Sequence, residues 1–224
     1  MTNAITKDDL ARMITSAADQ IREHHAMLSE LDSASGDGDH GSAMMRSVDR
    51  MEKAFASPGP VDIKACFHQA GWEVMGTDGG ASSALLGSFF LGIAAGSPEG
   101  ITAMAGTELA AAFEAGLAAV VKQTQARPGD KTLMDALVPA VEALRAATEA
   151  GKNHGQAMEA AATAAKGGAE ATANLIARFG RARFLGQKTR GHRDPGAVSI
   201  ALLFEGFSQG LARPIGGSTH GRCG

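Results

Sequence analysis

Apolar positions recur at helical spacing along most of the chain. Thr6-Lys7-Asp8-Asp9 places a carboxylate three residues after a threonine, the form of a capping box. Beyond it Leu10, Met13, Ile14, Ala17, Ile21 and Leu28 fall on one helical face. The spacing resumes with Met44, Met45, Val48, Met51 and Phe55, and Ser57-Pro58-Gly59-Pro60 ends it. Further helices are predicted over 62–75, 81–95, 101–122, 132–150, 156–177 and 197–211. No convincing strand is found. The best candidate, 197–204, has an apolar run that continues too long and fits a buried helix equally well. The pattern predicts an all-α fold: about eight helices in an antiparallel up-and-down arrangement, either a bundle or a helical barrel. It forms a single domain over residues 1–215, with a frayed Gly-rich tail over 216–224.

Composition sharpens this picture. Hydrophobic residues make up 44% of the 224, enough for a sizeable core, but aromatics are only 4% and tyrosine is absent. Ala, Leu and Met are therefore expected to do the packing, and small side chains favour close helix–helix contact. A net charge of −3 leaves no electrostatic footprint for nucleic acid. No block of like charges, membrane-spanning stretch or signal-peptide pattern appears, so no membrane partner is expected. Cys66 and Cys223 lie far apart, which argues against a disulfide framework and for a cytoplasmic protein.

The chemistry sits in the breaks between helices. Residues 31–41 read L-D-S-A-S-G-D-G-D-H-G, and their last six match G-x-G-x-x-G. A dinucleotide fingerprint needs a strand before it and a βαβ unit around it, and this stretch follows a helix. The aspartates are the better lead. Asp32, Asp37 and Asp39 fall within eight residues. Converging carboxylates repel unless a cation lies between them, and oxygen-only ligands select hard ions. The alternating ligands and terminal Glu of an EF-hand are missing, so Mg²⁺ with its shell completed by phosphates fits better than Ca²⁺. A plain polar turn is the structural alternative.

Three other breaks bear on that choice. Gly79-Gly80-Ala81-Ser82 opens an apolar helix, where free backbone N–H groups suit an anion. In Arg127-Pro128-Gly129-Asp130-Lys131-Thr132, Asp130 is expected to cap the next helix and Lys131 to stand near its mouth. Residues 180–196 form a long basic connection ending in Asp194-Pro195-Gly196. Loops near 37, 79, 129 and 190 share one rim if a further helix break is hidden among them.

These motifs together, L-D-x-x-x-G-D-G-D-H-G, G-G-A-S, R-P-G-D-K-T-L-M-D-A-L-V-P, G-R-A-R-F-L-G and G-H-R-D-P-G-A, closely resemble the DhaL family. This is the nucleotide-binding subunit or domain of dihydroxyacetone kinases. The resemblance covers nearly the whole chain and implies an antiparallel barrel of α-helices. It implies that Asp32, Asp37 and Asp39 hold a pair of Mg²⁺ ions that bind the phosphates of ADP or ATP. It implies that His40, Gly41, Ser42, Ala43, Ala81, Ser82, Thr124, Leu133, Arg181, Asp194, Pro195 and Gly196 line the nucleotide. Three carboxylates with about two Mg²⁺ leave roughly one positive charge facing the phosphates. Ser42-Ala43, Ser83-Ala84 and Arg193 depart from the residues common in the family, which bears on fine nucleotide geometry.

The resemblance further implies a kinase subunit whose ketose is held covalently on a separate DhaK-like partner. The donor is either exchanging ATP or a DhaM-like phosphotransferase-system protein that rephosphorylates bound ADP. The partner is expected to cover the rim around residues 32–41 and 79–82. Alternatives are a kinase subunit for another ketose such as erythrulose, an ADP-loaded regulator that binds a transcription factor, and a carrier of apolar ligands.

Overall fold

The computed structural model describes residues 4–34, 36–56, 62–78 and 80–212. The break at 57–60, Gly79, Cys223 and the predicted tail lie outside the described residues. Among the described residues eight α-helices follow one another: α1 (Lys7–Ser33), α2 (His40–Ala56), α3 (Ile63–Met75), α4 (Gly80–Gly96), α5 (Gly106–Gln123), α6 (Met134–Glu149), α7 (His154–Ala171) and α8 (Pro195–Ala212). Each packs on its neighbours in the chain, and α8 returns to pack on α1, closing a ring. The result is an antiparallel helical barrel, one of the two forms that the periodicity allows and the one that the resemblance implies.

Local chemistry sets the helix starts. The Thr6–Asp9 capping box forms, with the Asp9 N–H donating to Thr6 Oγ1 at 3.2 Å and the Thr6 N–H to an Asp9 carboxylate oxygen at 2.8 Å. Closure of the ring depends on small residues: a Cβ on Gly206 or Gly210 of α8 would run into the α1 backbone at Ala17 and Met13. Among the described residues no helix is long and apolar enough to cross a membrane.

The core departs from expectation. Although aromatics are few, seven of the nine phenylalanines form one run of ring contacts: Phe55, Phe67, Phe90, Phe89, Phe113, Phe204 and Phe207. Most meet edge to face, the arrangement favoured by the ring quadrupole. Ala, Leu and Met fill the space around this spine.

Two further differences concern boundaries. A two-residue antiparallel pair, β1 (Ile5–Thr6) with β2 (Ala103–Met104), stands where no strand is predicted. It occupies 103–104 and delays α5 to Gly106, while the carbonyl of Ile101 accepts the N–H of Ile63 at 3.0 Å. α7 stops at Ala171, six residues early, and tightens into a 3₁₀ turn, Thr172–Asn174. Part of the basic connection is also 3₁₀, over Arg181–Thr189, with a kink at Gly186.

Simple alternation places the first, third, fifth and seventh connections at one end of the barrel. No hidden break is needed: the segments near 37, 80, 126–133 and 180–196 line a common cavity.

Candidate functional site

The loop after α1 is folded back on Asp32. The N–H of Gly38 donates to Asp32 Oδ2 at 2.9 Å, and that of His40 to the same oxygen at 3.4 Å. Gly36 and Gly38 permit the turn: a Cβ on Gly36 would collide with the Asp32 carboxylate, and Gly38 has φ +79°. The fold-back brings one carboxylate oxygen from each of Asp32, Asp37 and Asp39 within 4.8 Å of one another. The Arg181 guanidinium reaches across from the seventh connection to pair with Asp37, holding that carboxyl below its ordinary range.

The three aspartates open onto a cavity of about 430 Å³, within the range of small-molecule sites. Its walls come from all four connections at this end. Twelve of the fifteen residues singled out in the sequence line it: Asp32, Asp37, Asp39 and His40 from the first; Ala81 and Ser82 from α4; Thr124 and Leu133 on either side of the fifth; and Arg181, Asp194, Pro195 and Gly196 from the seventh. Gly41, Ser42 and Ala43 do not. They form the first turn of α2, with Gly41 and Ala43 buried and Ser42 exposed on the outside. Sequence reasoning missed Phe179, Ala126 and Thr132, which also line the cavity. An aromatic residue directly before the basic run was the available sign for Phe179.

His40 is buried, and its Nε2 lies 3.2 Å from Ser199 Oγ on α8. Burial pushes its pKa down against the pull of Asp32 and Asp39, so the ring is neutral near pH 7. It ties the aspartate loop to the start of α8.

Lys131 and Asp130 take roles other than those expected. Lys131 does not stand at a helix mouth but is 4% exposed. Its ammonium donates to the carbonyls of Thr172 (2.7 Å), Leu175 (3.4 Å) and His192. The helix-start carboxylate is Asp135, not Asp130: it accepts the N–H groups of Gly129 (2.6 Å) and Thr132 (2.8 Å). Asp130 instead accepts the Arg127 N–H at 2.9 Å. Lys131 is also the sole non-glycine residue with positive φ among those described, at +60°.

Asp194 caps α8, accepting the Ala197 N–H at 2.7 Å, ahead of a proline in the first helical position. Burial pushes its carboxyl up to about 7, with Asp135 nearby adding to the shift. Its folded pKa thus exceeds the ordinary carboxylate value of about 3.9. The fold holds a proton that the unfolded chain releases, so this group's contribution to stability falls as pH rises from about 4 to about 7. Asp194→Asn retains an oxygen for the cap and removes the titration. Thermal melts from pH 4.5 to 7.5 are expected to show a flatter decline for the variant; parallel curves would contradict the assignment.

Comparison with known proteins identifies the family and the fold. The DAK2 domain family matches residues 34–209. The chain belongs to the DhaL family. It is 36% identical over 204 residues to the ADP-binding subunit DhaL of a PEP-dependent dihydroxyacetone kinase from Listeria innocua, covering 91% of this chain and 96% of that one. The corresponding subunit of Escherichia coli is 32% identical over 202 residues, covering 90% and 96%. Among solved structures, the dihydroxyacetone kinase of C. freundii in complex with AMP-PNP and Mg²⁺ superposes with a TM-score of 0.68 at 25% identity. That match covers 89% of this chain but 33% of the C. freundii kinase, so the family unit spans about a third of that longer protein.

Proposed function

We propose that this chain is the nucleotide-binding, phosphoryl-donating subunit of a dihydroxyacetone kinase, acting in the cytoplasm on a ketose held by a separate DhaK-like subunit. The observation that carries the reading is the trio of converging aspartates at the edge of a nucleotide-sized cavity, in a chain of the DhaL family. The all-oxygen donor set fits hard divalent cations, and its charge suits two Mg²⁺ ions. Bound there, magnesium neutralises phosphate charge and aligns the transferred phosphoryl group. Asp32, Asp37 and Asp39 hold the metal. His40, Ala81, Ser82, Thr124, Leu133, Arg181 and Asp194-Pro195-Gly196 surround ADP, with Gly41, Ser42 and Ala43 supporting from the first turn of α2.

ADP serves as a bound coenzyme, rephosphorylated in place by a DhaM-like phosphotransferase-system protein. The names of the Listeria and E. coli relatives, both PEP-dependent and ADP-binding, support this form over ATP exchange.

The test is a coupled assay of the purified chain with dihydroxyacetone, with and without a DhaK subunit from the same genome. Phosphate is supplied either as ATP or as phosphoenolpyruvate with the phosphotransferase proteins. No turnover is expected without DhaK, and turnover with it from phosphoenolpyruvate. Robust turnover by the chain alone contradicts the division of labour, and turnover from ATP alone contradicts the coenzyme role.

A further inference from the structure

Residues 178–193 of the seventh connection carry six cations, Arg178, Arg181, Arg183, Lys188, Arg190 and Arg193, and no acidic residue, in a chain whose net charge is −3. Positive charge is thus concentrated beside the cavity. Two of the six are committed locally, Arg178 to Asp130 at 3.3 Å and Arg181 to Asp37. Arg183, Lys188 and Arg190 point into solvent.

The segment also bears apolar surface. Only four large hydrophobic side chains are exposed among the described residues, and two of them are adjacent here, Phe184 (78%) and Leu185 (39%). The Arg183 guanidinium lies 4.7 Å from the centre of the Phe184 ring. Phe184 and Leu185 thus form a small contiguous apolar surface on an otherwise charged segment, next to the cavity, with a polar rim of the kind that interaction sites carry.

The segment is held in shape. Thr189 is buried; its hydroxyl donates to the Gly186 carbonyl at 2.7 Å and accepts the Ala177 N–H at 3.0 Å. The Gly191 N–H donates to the Ala173 carbonyl at 2.7 Å. The C-terminal part of the segment is therefore tied back to residues 173–177, just after α7, and Phe184 is presented on an ordered support, which lowers the entropic cost of docking. Arg181 and Ala182 of the same segment line the cavity, so the exposed ring stands two residues from the cavity wall.

We propose that Arg183, Phe184 and Leu185, flanked by Lys188 and Arg190, are the anchor on which the ketose-bearing subunit docks. That partner presents an apolar recess for the Phe184 ring, bordered by carboxylates. The inference rests on the function proposed above. Phosphoryl transfer needs donor and acceptor nearly in contact and in line, so whatever carries the acceptor must cover the mouth of the cavity and meet the adjoining segment. An aromatic ring beside arginine is the usual composition of an energetic centre in an interface, and surrounding cations raise the rate of encounter with an acidic face.

The experiment compares wild type with Phe184→Ala and with the double variant Lys188→Glu/Arg190→Glu. Three quantities are measured: Mg²⁺·ADP affinity by calorimetry, direct binding of the dihydroxyacetone-loaded DhaK subunit, and the KM for DhaK in the coupled assay at two salt concentrations. Phe184→Ala is expected to weaken DhaK binding about thirtyfold, about 2 kcal/mol, with ADP affinity within about twofold of wild type. The charge-reversed variant is expected to lose most of the salt dependence of KM. Wild-type binding of DhaK with both variants unchanged overturns the anchor and leaves the proposed function standing. Failure of wild type to bind DhaK overturns that function and the anchor with it. An equal fall in ADP and DhaK affinity assigns the segment to the nucleotide site and also overturns the anchor.

Discussion

Asp37→Ala abolishes magnesium-dependent ADP binding, with a loss of at least about 100-fold, and leaves the helical circular dichroism largely intact. The size follows from losing a direct ligand, since even outer-sphere partners of a metal contribute about 10–100-fold in affinity. The selectivity follows from position. Asp37 lies on the loop between α1 and α2, outside the helices, and its carboxylate is half exposed. Its close contact is the pair with Arg181, itself exposed. Removing it also frees Arg181 from its clamp, so the seventh connection loses its tie across the cavity. Calorimetric titration with Mg²⁺·ADP, alongside circular dichroism, checks both halves. A variant that binds ADP normally, or one that loses its helices, contradicts the placement.

Lys131→Met lowers the melting temperature by roughly 6–12 °C and weakens ADP binding as well. The ammonium holds three carbonyls, those of Thr172, Leu175 and His192, in a site that is 4% exposed. Leaving buried carbonyls without a donor costs about 1–3 kcal/mol each. Burial also pushes the lysine pKa down, and the release of this desolvation cost offsets part of the loss. A net of about 3 kcal/mol converts to the stated shift for a chain of this size. The nucleotide effect has a separate origin. Lys131 binds the loop before α6 to the turn after α7 and to the residue preceding Arg193-Asp194, and the first and last of these lead into the cavity wall. Its φ of +60° shows the backbone held away from its preferred regions to aim the side chain inward. Lys122→Met, an exposed comparison on α5, is expected to change neither quantity. Equal melting temperatures for Lys131→Met and wild type would falsify the role of Lys131 as a tie.

The fold was legible because most of the helices carry periodic apolar faces, the others read as apolar runs too long for a strand, and Gly, Pro and Asp breaks separate them; an even alternation of helices then sorts those breaks to two ends. The aspartate cluster was legible for a local reason: its three carboxylates fall within eight residues, so the turn that joins them needs only glycine at Gly36 and Gly38. What stayed hidden depends on contacts between distant segments. Two-residue strands at Ile5–Thr6 and Ala103–Met104 are too short for any period to register. The phenylalanine spine joins residues from α2 to α8, and scarcity in the composition says nothing about clustering in space. Lys131 reads as a solvent-facing cation at a helix start until the turn after α7 is placed against it. Asp194 reads only as the end of a basic connection, and its raised pKa comes from burial and from Asp135, which lies 59 residues away in the chain.

The central claim is that metal and nucleotide occupy the aspartate cavity as one unit, because the carboxylates require cations and the cations require phosphate. Titration of the wild-type chain with ADP, once with Mg²⁺ and once with EDTA, tests it most directly. Tight binding with Mg²⁺ and a loss of at least about 100-fold with EDTA is the predicted result; equal affinity under the two conditions contradicts it.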